Sequence, residues 1–188
     1  MTMEIRINDK PTLYKFLNED GTSTIQGAKW PLPTGRRGRW QPRLSGELVL
    51  CERGYHLCRT TDLVHWLGPV LYSVPGDCYE DEGMIVGDDK VAVRRARLAY
   101  RVEEWNEMNA RLFAADCAEA VLHKWESLYP QDDRPRAAIA AARAFAREEI
   151  SAADLSAARS AAESAAEPAA ESAARSAQSA LLAERLGL

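Results

Sequence analysis

Arg111-Leu-Phe-Ala-Ala-Asp-Cys-Ala-Glu-Ala-Val-Leu122 decides the fold class, because its apolar residues return at intervals of three and four. Followed outward, Trp105, Met108, Leu112, Ala115, Ala118, Leu122, Trp125 and Tyr129 make one apolar side of a helix beginning near Glu103. Pro130 stops it. Asp133 is read as the N-cap of a second helix, since Pro135 then falls in the first turn, where a missing N–H is tolerated. Ile139, Ala142, Ala146 and Ile150 supply the inner side of that helix, and Ser151-Ala-Ala-Asp154 has the form of a capping box. Beyond it the chain repeats in fours, from Ser156-Ala-Ala-Arg159 to Ser172-Ala-Ala-Arg175. Each four-residue step overshoots a helical turn by about 40°, so the serines spiral and mark no constant face. Pro168 is expected to break this alanine-rich tail, at a cost of about 3 kcal/mol if it lay inside a helix.

Upstream the period changes from helical to pleated. Leu13-Tyr-Lys-Phe-Leu17 alternates as a half-buried strand does, and Asn18-Glu-Asp-Gly21 turns the chain. Pro31, Pro33, Pro42, Gly27, Gly35 and Gly38 predict a long ordered loop over 27–43, anchored by Trp30 and Trp40. Glu47–Cys51 and Tyr55–Cys58 read as two strands around a Glu52-Arg-Gly54 turn. A short helix is expected next, capped by Thr60 or Thr61, with Leu63, Val64, Trp66 and Leu67 on its apolar side and Gly68-Pro69 at its end. Val70–Val74 is another strand, Asp77–Glu82 an acidic loop, and Lys90–Val102 a long final strand. The expected architecture is α+β: a small, mostly antiparallel sheet domain over 1–103, then a helical module over 104–150 and an Ala/Ser-rich helical tail over 151–188, the C-terminal part holding three to four helices.

Charge divides along the same line. Residues 1–103 carry 15 Lys and Arg against 14 Asp and Glu, while 104–188 carry 9 against 14. The chain as a whole lacks the basic excess that phosphate-backbone binding demands. No apolar run approaches the roughly 18 residues of a membrane span, and the first residues lack the pattern of a signal peptide. A cytoplasmic protein with free thiols is the expectation.

Four groups of residues carry chemistry. Cys51, His56, Cys58 and Cys78 are zinc-ligand types, but their spacing lacks paired C-x2-C knuckles; buried thiols and a hydrogen-bonded histidine are expected instead, and no metal is assigned. Arg36, Arg37, Arg39, Trp40 and Arg43 interleave cations with an aromatic ring, which suits a weak nucleic-acid contact as well as a solvated loop. Asp77, Glu80, Asp81 and Glu82 cluster as carboxylates and read first as an acidic turn. His65 and His123 read as surface residues. No P-loop, GxGxxG, HExxH or nucleophile-elbow motif is present; the question of catalysis stays open at this point, with the reading leaning to a non-catalytic chain.

The fourth group is an order of elements: Tyr14 and Lys15 on a first strand, Gly54-Tyr-His-Leu57 before a short helix, Val70–Val74, and acidic residues ahead of a late strand. This order looks like the split-sheet core of the ADP-ribosyltransferase fold. That resemblance implies binding of NAD or a nucleotide by Tyr14, Tyr55 and His56; Trp30 is a further ligand-binding candidate. Lys15, Tyr55, His56, Glu80 and Glu82 would then be the catalytic candidates. The first strand has neither Arg nor His, and no Ser-Thr-Ser is present. Without that activity no cofactor is expected.

Leu112-Phe-Ala-Ala-Asp-Cys-Ala-Glu119, Asp132-Asp-Arg-Pro-Arg136 and Ala142-Arg-Ala-Phe-Ala146 resemble the immunity-protein (type-five)-like helical family. Trp30-Pro-Leu-Pro33, Cys51-Glu-Arg-Gly-Tyr-His-Leu-Cys58, Trp66-Leu-Gly-Pro69 and Asp88-Asp-Lys-Val91 resemble an uncharacterised domain joined to it in bacterial and phage proteins. The resemblance implies a protein partner, bound by the helical half in an immunity or phage counter-defence role, and brings no catalytic residues with it. Self-association through the alanine-rich helices is a further expectation.

Overall fold

The computed structural model describes residues 10–164. Six short strands come first: β1 (Leu13–Leu17), β2 (Tyr55–Leu57), β3 (Val70–Val74), β4 (Ile85–Val86), β5 (Val91–Val93) and β6 (Tyr100–Arg101). Helices α1 (Glu107–Leu128) and α2 (Arg134–Ala146) follow, and a third, α3, covers 152–164 of the described residues. The chain divides into two compact units between Asn106 and Glu107. This is the α+β arrangement expected from the change of period, an antiparallel sheet region followed by helices.

In the first unit the strands form two antiparallel sheets, ordered β1-β3-β6 and β2-β5-β4. Leu13 lies opposite Val74 and Leu17 opposite Val70, so β1 pairs with β3 along its whole length. The sheets are stitched where Tyr14 N–H donates to Cys58 O and Cys58 N–H donates to Tyr14 O, both at 2.8 Å. Leu17, Leu57, Val74, Val93, Ala96, Leu98 and Ala99 are fully enclosed at 0% exposure, and Trp30 joins them at 3%. Burial of this kind contributes about 25 cal/mol per Å2 of apolar surface, so these side chains dominate the unit's stability.

Several expectations are corrected here. The strand expected over Lys90–Val102 is two strands in two sheets. Between them, residues 94–99 stay extended but pair with loops: Leu44, Gln41 and Gly38 N–H donate to Arg94, Ala96 and Leu98 O at 2.9–3.0 Å, and Glu80 N–H donates to Arg95 O at 3.0 Å. Gly38 is required at this edge, since a Cβ there would lie 2.5 Å from Pro31 O. Glu47–Cys51 is no strand either. The chain already reverses at Val49, which exchanges two 2.8 Å backbone bonds with Arg53, leaving too few residues to pair.

The short helix is a 3-10 turn, Thr60–His65, and neither threonine caps it. Asp62 accepts from Arg59 N–H at 2.9 Å and holds the Arg59 guanidinium at 2.7 and 2.9 Å. Val64 and Leu67, expected inside, are 59% and 46% exposed, because three residues per turn rotate them off the side that Leu63 and Trp66 share.

Trp105 precedes the first helix rather than belonging to it. Its Nε1 donates to Gly68 O at 2.8 Å, and its ring meets the Phe16 ring edge-on at 5.5 Å. Using Trp105 to close the sheet unit leaves helical hydrogen bonding to begin at Glu107. In the helical unit Pro130 ends α1 as expected, and Pro135 occupies the first turn of α2. Asp133 stands at the N-cap position without a side-chain bond; Asp132 accepts from Arg134 N–H at 3.2 Å instead. The capping box before α3 is present, with Ser151 N–H donating to Asp154 at 3.1 Å and Asp154 N–H donating to Ser151 Oγ at 3.3 Å. Pro168 and the break expected there lie outside the described residues.

Candidate functional site

A concavity of the sheet unit starts from an anomaly of β1. Side chains two apart share a face of a strand, so Lys15 lies on the face of Leu13 and Leu17, which belong to the core. A lysine at that register is buried unless a cavity receives it. One does, with a volume of about 130 Å3, lined by Lys15, Trp30, Tyr55, His56, Trp66 and Lys90 among others. Strand β2 supplies Tyr55 and His56; the turn from Ser23 to Ala28 supplies an exposed rim.

The walls are fixed by specific bonds. Trp30 and Tyr55 pack edge-on with ring centres 5.6 Å apart, and the Tyr55 hydroxyl donates to Pro42 O at 2.8 Å. Trp66 Nε1 donates to Asp89 O at 2.8 Å, and Arg59 Nη2 donates to Gly87 O and Asp88 O at 2.9 and 2.8 Å. These bonds hold the turn before β5 so that Lys90 Nζ sits 4.3 Å from the Trp66 ring centre. Gln26 Nε2 donates to Cys51 O at 3.1 Å and ties the rim down. Cys51 has a left-handed backbone, φ 68°, which brings its N–H within 3.0 Å of His56 Nε2.

The electrostatics are one-sided. Lys90 has Asp89 as a partner at 3.4 Å, whereas Lys15 is acted on chiefly by burial, which lowers its pKa, and among the described residues it faces no carboxylate. Its ammonium lies 5.7 Å from the Trp30 ring centre. Burial, then the charges of Lys15 and Lys90, push the His56 pKa down, so the ring is neutral near pH 7. Since Nε2 accepts from Cys51, the proton belongs on Nδ1. Burial pushes the Cys58 thiol up to about 11, which keeps it a neutral wall of the cavity rather than a nucleophile.

The structure therefore brings together Lys15, Trp30, Tyr55 and His56. It places the other sequence candidates elsewhere. Tyr14 does not line the cavity. Glu80 and Glu82 accept from Arg43 Nε and Nη2 at 2.7 and 2.8 Å, away from the cavity lining. In the arginine segment, Arg37 pairs with Asp77, Arg36 and Arg39 are exposed, and Trp40 is flanked by the guanidinium groups of Arg95 and Arg97 at 4.9 and 4.8 Å. Cys51, expected to be buried, is exposed, because the reversal at Val49 carries it outward; Cys58 and Cys78 are buried. Trp66 and Lys90 were missed as cavity residues. Their only sequence signal is the turn at Gly87-Asp-Asp89, and nothing in the spacing ties that turn to Trp66.

The helical unit has a different surface. A groove of about 470 Å3 is lined by Ala118 of α1, Ile139, Ala142 and Phe145 of α2, and Leu155 of α3. Arg111, also in its lining, lies over the Phe145 ring at 4.5 Å. Beside it Arg143 bridges Asp116 and Glu119 of α1 at 2.6 and 2.5 Å, pinning α2 to α1. No helix among the described residues is long and apolar enough to cross a membrane.

Residues 101–183 match the family model described as Imm-5 like putative immunity protein. The match begins at β6 and covers α1, α2 and the described part of α3. No curated protein and no solved structure matches the chain.

Proposed function

We propose that this chain is a non-catalytic binding protein of the immunity or counter-defence kind, and that its helical unit engages a protein partner. The match of residues 101–183 to an immunity-protein family carries this reading. The groove between the helices supports it: alanine side chains leave space that larger residues would fill, and Ile139, Phe145 and Leu155 give the groove an apolar lining. A partner helix or loop with small apolar anchors fits such a surface. Under this reading the protein acts in the cytoplasm.

The test uses the full chain and an Ala118→Trp variant, whose side chain fills the groove from an exposed position of α1. Each is tagged and used to capture proteins from lysate of the source cells. Wild type is expected to retain one partner in stoichiometric amount, and the variant to lose it at unchanged helical circular dichroism. Failure of the wild-type chain to retain a stoichiometric partner overturns the proposal.

A further inference from the structure

The cavity between Lys15, Trp30, His56 and Trp66 is independent of the helical groove and has a chemistry of its own. Three observations define what fits it. Its volume, about 130 Å3, approaches the roughly 150 Å3 of an engineered cavity that takes up benzene, so it accommodates one ring rather than a dinucleotide. Its walls are largely apolar and aromatic, with Phe16, Trp30, Leu57 and Trp66 among them. Its charged lining is cationic: Lys15 and Lys90 are present, and no carboxylate of the described residues lines it.

The two lysines are not equivalent. Lys90 is neutralised by Asp89 at 3.4 Å, and the nearby Asp62 is occupied by Arg59 at 2.7 Å. Among the described residues Lys15 faces no carboxylate, and its neighbours are the neutral Cys58 thiol, the His56 ring and the Trp30 ring. A half-buried cation with no counter-charge among the described residues is costly, and an incoming anion reduces that cost. His56 has its Nδ1–H left as a second donor, because Nε2 is taken by Cys51. One unmatched cation balances one negative charge. A dianion such as phosphate would leave a charge uncompensated in an apolar site, whereas a carboxylate would not.

We propose that this cavity is a binding site for a small aromatic monocarboxylate, its carboxylate paired with Lys15 and its ring packed among Trp30, Tyr55 and Trp66. Binding involves no covalent step. The site lies wholly in the first unit, outside the residues matched to the immunity family.

Benzoate is the probe, with benzamide as the neutral molecule of nearly the same shape. Calorimetry on the full chain is expected to show one benzoate per chain. Benzamide is expected to bind about ten- to hundredfold more weakly, the ratio of a charge-assisted to a lost hydrogen bond. Lys15→Met keeps the volume and removes the charge; the variant is expected to fold, with a raised or unchanged melting temperature, and to lose benzoate by a similar factor. Equal binding of benzoate and benzamide, or no benzoate binding by the wild-type chain, overturns the site. Because the benzamide comparison uses unmodified protein, it stands whatever the variant does. Inorganic phosphate binding more tightly than benzoate would overturn the assignment of ligand class.

Discussion

The two units solve the same problem with different side chains. In the first, short strands of two to five residues are clamped around Leu17, Leu57, Val74, Val93 and Leu98, each wholly enclosed. In the second, α1 and α2 enclose only Ala115, Leu122 and Ala146, with Leu155 joining from α3. An alanine methyl contributes about 0.8 kcal/mol when buried, against about 1.5–3 kcal/mol for leucine or valine. The strand-built unit is thus held by its interior and can tolerate a half-buried lysine. The helical unit depends more on caps, helix propensity and pairs such as Arg143 with Asp116, and its shallow interior leaves a groove open on its surface.

The sharpest test of that contrast is a matched truncation. Leu57→Ala is expected to cost about 2–5 kcal/mol of stability, the range for a fully enclosed leucine. Leu122→Ala, at a site 6% exposed and flanked by alanines that can settle inward, is expected to cost about 1–2 kcal/mol. Urea unfolding followed by tryptophan fluorescence and by circular dichroism reads both. Equal losses would break the comparison.

A second test uses Asp62, the one buried carboxylate among the described residues of the strand-built unit. Asp62 is 2% exposed, and the hydrogen-bonded Arg59 guanidinium holds its pKa below the ordinary 3.8. A carboxylate depressed in the folded state adds stability above its unfolded pKa, near 4, and that stability disappears as pH falls through the lower folded value. Asp62→Asn should therefore lower the urea midpoint at pH 7, by about 1–3 kcal/mol in stability, and flatten its decline between pH 5 and 2. A variant with the wild-type acid limb would show that the Arg59 pair contributes nothing to folding. The smallest effect is expected in the helical unit. Ser151→Ala removes the box at the start of α3 and should cost about 0.5–2 kcal/mol of local helix stability, seen as lost ellipticity at 222 nm. No change there would mean that α3 is held by packing alone.

Much of this organisation was legible beforehand because period is a local property. Leu13–Leu17 and Val70–Val74 are long enough to declare themselves, and the threes and fours through Leu112, Ala115 and Leu122 declare α1. The fate of residues 90–102 was not legible. A buried run such as Val91-Ala-Val93 followed by Ala96, Leu98 and Ala99 reads the same whether it pairs with one sheet or passes between two. Partners such as Gly38, Gln41 and Leu44 decide the matter, and they are distant in sequence. The cavity was legible by halves. Lys15, Tyr55 and His56 entered as candidates through the order of elements, and Trp30 as an anchor of the proline-rich loop. Lys90 and Trp66 come together only because Arg59 fastens the Gly87–Asp89 turn.

The passage of residues 94–99 from one sheet to the other has a dynamic consequence. Its backbone is gripped on both edges, by the loop at 38–44 and by Cys78 and Glu80. Fraying of either sheet must pull on this shared cord, so the strand-built unit should open as one cooperative body. The amide hydrogens of Arg97 and Ala99, bonded to Cys78 O and Ser73 O at 2.9 Å, would then exchange with deuterium only as fast as the whole body comes apart.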